Sequence, residues 1–162
     1  MPRKQSFMRL AVATQVAGDF HTVFAAFDGT LLVELNPPIP AVKLLRFDGM
    51  EVGDEVHLEL DFLLFRQSWV SRITEVLGDE REISFVDEGI ELPFFLTAWR
   101  HRHRIAAYRG ATMIIDEIEY RAPNLLFGLV LWPALYLQFL YRRPVYRRFF
   151  KKPPGATTVH QD

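Results

Sequence analysis

The sequence predicts an α+β fold: a curved antiparallel sheet of about seven strands wrapped around a long C-terminal helix, with two short helices after the first strand. Three observations carry this expectation. Trp99-Arg100-His101-Arg102-His103-Arg104 and residues 112–120 alternate in character like the two arms of a hairpin. Residues 42–121 hold a succession of strand-like runs broken only by turn signals, so the pairing should be antiparallel. Residues 125–150 then change to a helical, strongly apolar pattern.

Taken in order, residues 7–16 read as the first strand, ended at Gly18-Asp19. Asp19 can cap a short helix through Ala26, and Asp28 a second over residues 29–35. Asn36-Pro37-Pro38 and Pro40 stop that helix. Residues 42–47 form a strand, and Asp48-Gly49 a turn. Val56, Leu58, Leu60 and Phe62 alternate with His57, Glu59 and Asp61, the pattern of a half-buried strand. A turn at Arg66-Gln67 leads to a strand over residues 68–76, and another follows over 81–87. Residues 94–108 and 111–121 are the hairpin arms. In the helix over 125–150, Pro133 and Pro144 are expected to kink or break it. Residues 1–150 read as one domain and 151–162 as a frayed basic and polar tail.

The hairpin register follows from its turn. With Arg109-Gly110 as a two-residue turn, Tyr108 faces Ala111, His103 faces Asp116, His101 faces Ile118 and Trp99 faces Tyr120. On the opposite face Arg102 meets Glu117 and Arg100 meets Glu119, a solvated ladder of opposite charges. The inner face mixes aromatics with two histidines and a carboxylate, a composition suited to a pocket wall.

Composition narrows the function classes. Half of the 162 residues are apolar (49%), enough for a full core. The net charge of -1 gives no signal for nucleic acid, although Arg142, Arg143, Arg147, Arg148, Lys151 and Lys152 crowd the C-terminal end. No cysteine is present, which excludes disulfides, thiol nucleophiles and thiolate metal sites. Arg9, Thr14 and Gln15 interrupt the N-terminal apolar residues, so no signal peptide is expected and the cytoplasm is the expected compartment. No phosphate loop or Ser-His-Asp order is visible, and no cofactor is expected.

Three groups stand out. His101, His103 and Asp116 can be a structural pair, a ligand contact, or a general base. They can also chelate zinc, but His21, His57 and His160 are scattered and no metal is expected. Glu75 comes to the apolar face if the Arg66-Gln67 turn sets the register, with Leu58 opposite Glu75, Leu60 opposite Ile73 and Asp61 opposite Arg72. The segment 125–140 is apolar on all sides, more than one sheet face requires. The surplus can line a pocket, form a homodimer interface, or lie on a membrane with the arginines at anionic headgroups.

In element order and in its spaced residues the chain resembles the START/polyketide-cyclase-like (SRPBCC) superfamily, which has the helix-grip fold. The resemblance rests on Asn36-Pro37-Pro38, Trp69-Val70-Ser71-Arg72-Ile73-Thr74-Glu75, Phe85-Val86-Asp87 and Trp99-x-His101-x-His103. Thr112 with Asp116, Ile118, Tyr120 and Pro123 completes it. The combination looks like an uncharacterised bacterial ligand-binding branch. The resemblance implies a small hydrophobic ligand of lipid, polyketide or aromatic type, held between sheet and C-terminal helix. Some members are cyclases or hydrolases, so a His103–Asp116 base is the rival expectation, and a membrane-peripheral lipid carrier a third. The expected wall comprises Trp69, Phe85, Trp99, Tyr120, Phe127 and Leu131, with Glu75, His101, His103 and Asp116 as polar anchors.

Overall fold

Period-two burial builds the sheet. In β1 (Met8–Val16), β6 (Ala98–Tyr108) and β7 (Ala111–Arg121) alternate side chains go under the sheet. The computed structural model describes residues 7–151. Between β1 and β6 come α1 (Phe20–Ala25), α2 (Gly29–Glu34), β2 (Ala41–Phe47), β3 (Glu55–Asp61), β4 (Arg66–Gly78) and β5 (Glu82–Glu91). After β7 comes α3 (Leu125–Phe149). The tail expected at 151–162 lies, beyond Lys151, outside the described residues.

The seven strands form one antiparallel sheet in the order β1-β7-β6-β5-β4-β3-β2, curled around α3. This is the helix-grip architecture. The helices start where the sequence supplies caps. Asp19 accepts from His21 N and Thr22 N at 3.1 Å, and Asp28 from Leu31 N at 3.0 Å. Asn124 accepts from Phe127 N at 3.0 Å and opens α3. Caps of this kind contribute about 1 kcal/mol each. The hairpin turn has Arg109 at φ 49° and Gly110 at φ 76°, a left-handed pair that matches strand twist. The β6–β7 register is the expected one: Tyr108 opposite Ala111, His103 opposite Asp116 and Trp99 opposite Tyr120.

Four expectations are corrected. The β3–β4 turn is not at Arg66-Gln67 but over Phe62–Phe65, where Phe62 N donates to Phe65 O at 3.0 Å. Asp61 accepts from Leu63 N at 2.8 Å and Leu63 takes φ 73°, so the turn chemistry belongs to Asp61. Leu58 therefore pairs with Trp69 and Leu60 with Gln67, while Arg72 bonds Glu55 at 2.7 Å instead of Asp61. The charged ladder keeps its expected register, Arg102 opposite Glu117 and Arg100 opposite Glu119, but its ion pairs join other partners. Arg104 takes Glu117 at 3.0 Å and Glu82 at 2.8 Å, Arg100 lies 3.5 Å from Glu88, and Arg9 pairs Glu119 at 3.0 Å. Arg9–Glu119 and Arg100–Glu88 stand directly opposite in register, whereas Arg104 reaches both of its glutamates diagonally, a distance within range of a long side chain. The first hairpin arm begins at Ala98, because Leu96 N donates to Pro93 O at 3.0 Å and turns the chain first. Finally, of the kink or break expected at Pro133 and Pro144 the break does not occur: α3 runs through both, with Leu135, Phe139, Val145 and Tyr146 buried beyond them.

The core is divided. One cluster gathers Phe20, Val23, Phe27, Leu31, Phe85, Ile105 and Ile114 with Val145 and Tyr146. The other gathers Leu10, Val12, Trp99, Ile118, Tyr120, Leu135 and Phe139. Along β6 the inward residues run Trp99, His101, His103, Ile105. The histidines thus stand at the seam between the clusters.

Candidate functional site

Three neighbouring strands bring four polar side chains to that seam. β6 supplies His101 and His103, β7 supplies Asp116, and β5 supplies Asp87, the register partner of His101. The two imidazoles stack with centroids 3.6 Å apart and planes tilted by 35°. Each carboxylate bridges both rings. His101 Nε2 donates to Asp116 Oδ1 at 2.9 Å, and His103 Nε2 donates to Asp87 Oδ2 at 3.1 Å. The remaining nitrogens complete the square: His103 Nδ1 lies 3.3 Å from Asp116 Oδ1, and His101 Nδ1 lies 3.6 Å from Asp87 Oδ2. Aromatic rings wall the group. Phe85 stacks on His103 at 4.2 Å, and Phe139 meets the His101 ring edge-on at 5.1 Å.

Burial and pairing push these groups in different directions. Burial, then the neighbouring His103 charge, lower the His101 pKa to about 4 against the pull of Asp116. Burial also opposes charge on His103, but hydrogen bonds to Asp116 and Asp87 outweigh it and hold its pKa above the ordinary 6.5. Both carboxylates resist burial and stay below the usual carboxylate range, Asp116 through His101 and His103 and Asp87 chiefly through His103. The seam thus favours the neutral form of His101 and the charged form of His103, beside two carboxylates. Tyr146 is close by; its hydroxyl is pushed up by burial and by the Asp116 charge.

Beneath the sheet lies a cavity of about 480 Å³. Its apolar wall includes Phe27, Leu31, Leu58, Leu60, Ile73, Phe85 and Trp99, with Leu131, Leu135 and Phe139 from α3. Asp87, His101 and His103 reach it from the sheet, and Gln138 and Arg142 from α3. Arg142 also lays its guanidinium on the Phe139 ring at 4.4 Å. The volume lies in the range of ordinary small-molecule sites, and so does the composition, an apolar wall with a few polar groups at one place.

Of the expected wall, Trp69, Phe85, Trp99 and Leu131 line the cavity. Tyr120 and Phe127 do not. Tyr120 is fully buried in the core and donates its hydroxyl to Gly128 O at 2.8 Å, which ties β7 to the start of α3. Phe127 is 42% exposed on the first turn of α3. Among the expected anchors, His101 and His103 reach the cavity, while Asp116 lies behind them at 1% exposure. Glu75 is outside the site. A bulge between Ile73 and Glu75 turns it to the outer face, opposite Val86. Asp87 is the residue that sequence reasoning missed. Its signal was the alternation of Phe85 and Asp87, which needed the β5–β6 register to become readable. Asp87, His101 and His103 each offer one donor atom within 4.8 Å of the others, so it is Asp87 rather than Asp116 that joins the histidines on the cavity side.

No family model and no curated protein matches the sequence. Solved structures do match in shape. A START superfamily protein from Mycobacterium smegmatis superposes with a TM-score of 0.65 at 10% identity, over 88% of this chain and 97% of that one. The Zhui aromatase/cyclase from Streptomyces sp. R1128 gives 0.64 at 14% identity, over 90% and 94%. Major latex-like protein 151 from Panax ginseng gives 0.63 at 16% identity, over 92% and 100%. At such identities the likeness speaks for architecture and not for activity. With its strand order, its curled sheet and the helix held inside it, the chain has the SRPBCC-type helix-grip fold of START and aromatase/cyclase proteins.

Proposed function

We propose that this protein is a cytoplasmic binding protein for a small hydrophobic ligand of lipid, polyketide or aromatic type. The observation that carries the reading is the cavity of about 480 Å³, apolar over most of its wall and polar at Asp87, His101, His103 and Arg142. A ligand there buries its apolar body against Leu60, Ile73, Trp99 and Leu135 and turns a polar end to the seam. Each buried CH₂ contributes roughly 0.8 kcal/mol, so a body of eight to ten carbons supplies about 6–8 kcal/mol before association costs. Native mass spectrometry of protein from the expression host tests this. A co-purified or added apolar compound retained at one per chain supports it; failure to retain any of a panel of fatty acids and polycyclic aromatics refutes it. Recovery of that compound unchanged after incubation distinguishes a carrier from a cyclase or hydrolase.

A second reading, delivery at a membrane surface, is favoured by α3. The helix is 25 residues long, and only 17% of its most apolar window is buried. Leu125, Leu126, Leu129 and Val130 are exposed on its first half, and Arg147 and Arg148 occupy its last turn. Such a helix suits the interface plane of an anionic bilayer. Co-sedimentation with phosphatidylserine vesicles, lost at high salt and in Leu126→Glu/Val130→Glu, supports the reading; no binding at low salt refutes it.

A further inference from the structure

We propose that Asp87, His101 and His103 form a site for one divalent transition-metal ion of the class imidazole nitrogens hold, with Asp116 as the carboxylate that orients both rings. The proposal goes beyond hydrophobic-ligand binding and does not depend on it.

The first ground is the direction of the nitrogens. His101 and His103 are two apart on β6, so both rings come off one face of the strand. Each ring turns one nitrogen to Asp116 and the other to Asp87. Asp116 Oδ1 takes His101 Nε2 at 2.9 Å and lies 3.3 Å from His103 Nδ1. A metal-ligating histidine almost always gives its far N–H to such an outer carboxylate, which fixes ring orientation. That leaves His101 Nδ1 and His103 Nε2 on the side of Asp87.

The second ground is spacing. Asp87 Oδ2 lies 3.6 Å from His101 Nδ1 and 3.1 Å from His103 Nε2. Donor atoms about 3.3 Å apart are what a tetrahedral ion with bonds of about 2.0–2.1 Å requires. The tilt of 35° between the rings lets their lone pairs converge after a small rotation. On binding, the proton that His103 Nε2 shares with Asp87 leaves to solvent, and the ion takes its place between the same atoms.

Charge and access agree. With both imidazoles neutral, the two buried carboxylates offset the divalent cation, and the Arg142 guanidinium acts on Asp87 from the cavity wall. Two nitrogens and one carboxylate favour zinc, cobalt or iron(II) over calcium and magnesium, which want oxygen shells. Asp87, His101 and His103 all line the cavity whereas Asp116 does not. The fourth position therefore opens on the cavity, as in metal sites that bind water or a substrate oxygen rather than in closed structural sites.

The test uses the full chain without an affinity tag, stripped with a chelator and titrated with Zn²⁺ and with Co²⁺ in the absence of any lipid. One equivalent of each should bind, the Zn²⁺ complex should melt higher than the stripped protein, and Co²⁺ should give the visible absorption of a four- or five-coordinate N/O site. Asp87→Asn and His103→Gln should weaken binding by at least tenfold, and Asp116→Asn by roughly 10–100-fold. His57→Gln, on the outer side of β3 beside Glu55, should change nothing. Since buried variants can fail to fold, proton NMR of Co²⁺-loaded wild type gives a decision without them: two imidazoles, those of His101 and His103, should show paramagnetic shifts. No saturable uptake, shifts on other histidines, or undiminished uptake by folded His103→Gln would overturn the proposal. Retention of apolar compounds is a separate measurement, so either reading can fail alone.

Discussion

Asp116 stands opposite His103 in the β6–β7 register, yet its Oδ1 accepts a 2.9 Å hydrogen bond from His101, one step diagonally along the strand. One carboxylate, 1% exposed, thus serves two stacked rings. Asp87 performs the matching task from the other side but lines the cavity, where water can replace it. The two should therefore differ in stability cost. Asp116→Ala leaves two buried rings without their shared partner and should cost about 3–5 kcal/mol. Asp87→Ala should cost about 1–3 kcal/mol. Urea melts of both variants measure this, and equal midpoints would contradict the placement.

Trp99 and Arg102 lie three residues apart on opposite faces of β6, and their truncation should separate cleanly. Trp99 is 7% exposed, edge-on to Trp69 at 4.8 Å, and packed with Phe139. Trp99→Ala opens a hole in that cluster and should cost about 3–5 kcal/mol. Arg102 reaches only Ser84 Oγ at 3.4 Å, since Arg104 has taken Glu117. Arg102→Ala should cost under about 1 kcal/mol. A comparable loss in thermal melts of the two would reverse the face assignment.

The legibility of these features in sequence tracks how local their causes are. The β6–β7 register was readable because Arg109-Gly110 dictates a two-residue turn and the faces then match. The first two helix starts were readable because Asp19 and Asp28 cap through their own side chains. The β3–β4 register was not. Asp61 and Leu63 make the turn, and nothing in a leucine advertises a left-handed backbone. Glu75 was misplaced by a bulge that period-two reasoning cannot foresee; the register slip, an even number of residues, leaves the face of each β4 side chain unchanged. Asp87 needed the β5–β6 pairing across the irregular connection of residues 92–97, and that pairing is a tertiary fact.

The outer face offers a pH test. Arg104 holds Glu82 with two hydrogen bonds of 2.8 Å and Glu117 with one of 3.0 Å. The hydrogen bonds from Arg104 keep the Glu82 pKa below its ordinary 4.5. The folded value is the lower one, so the stabilisation is present above about pH 4.5 and is lost as pH falls through the folded pKa. The group is partly solvated, so the gain should stay under about 1 kcal/mol. Wild type should exceed Glu82→Gln in stability by that margin at pH 7, and the gap should close toward pH 3. A gap that persists at pH 3 would mean the pair contributes through packing and not through charge.

The cavity can be narrowed without touching its polar end. Leu58 is half-buried on β3, lines the cavity, and stands in register with Trp69 at the side away from the histidines. Leu58→Trp places an indole where the apolar body of a ligand would lie. The larger side chain also buries apolar surface of its own, so the fold should lose no more than about 1.5 kcal/mol. A bound apolar fluorophore, by contrast, loses the volume it needs, and its affinity should fall at least tenfold, equivalent to about 1.4 kcal/mol. Fluorescence titration of wild type and variant, beside a denaturant melt of each, separates the two effects. Unchanged affinity in a folded Leu58→Trp would mean that the probe binds elsewhere, the exposed apolar turns of α3 being the next surface to examine, and that the cavity is not the binding site.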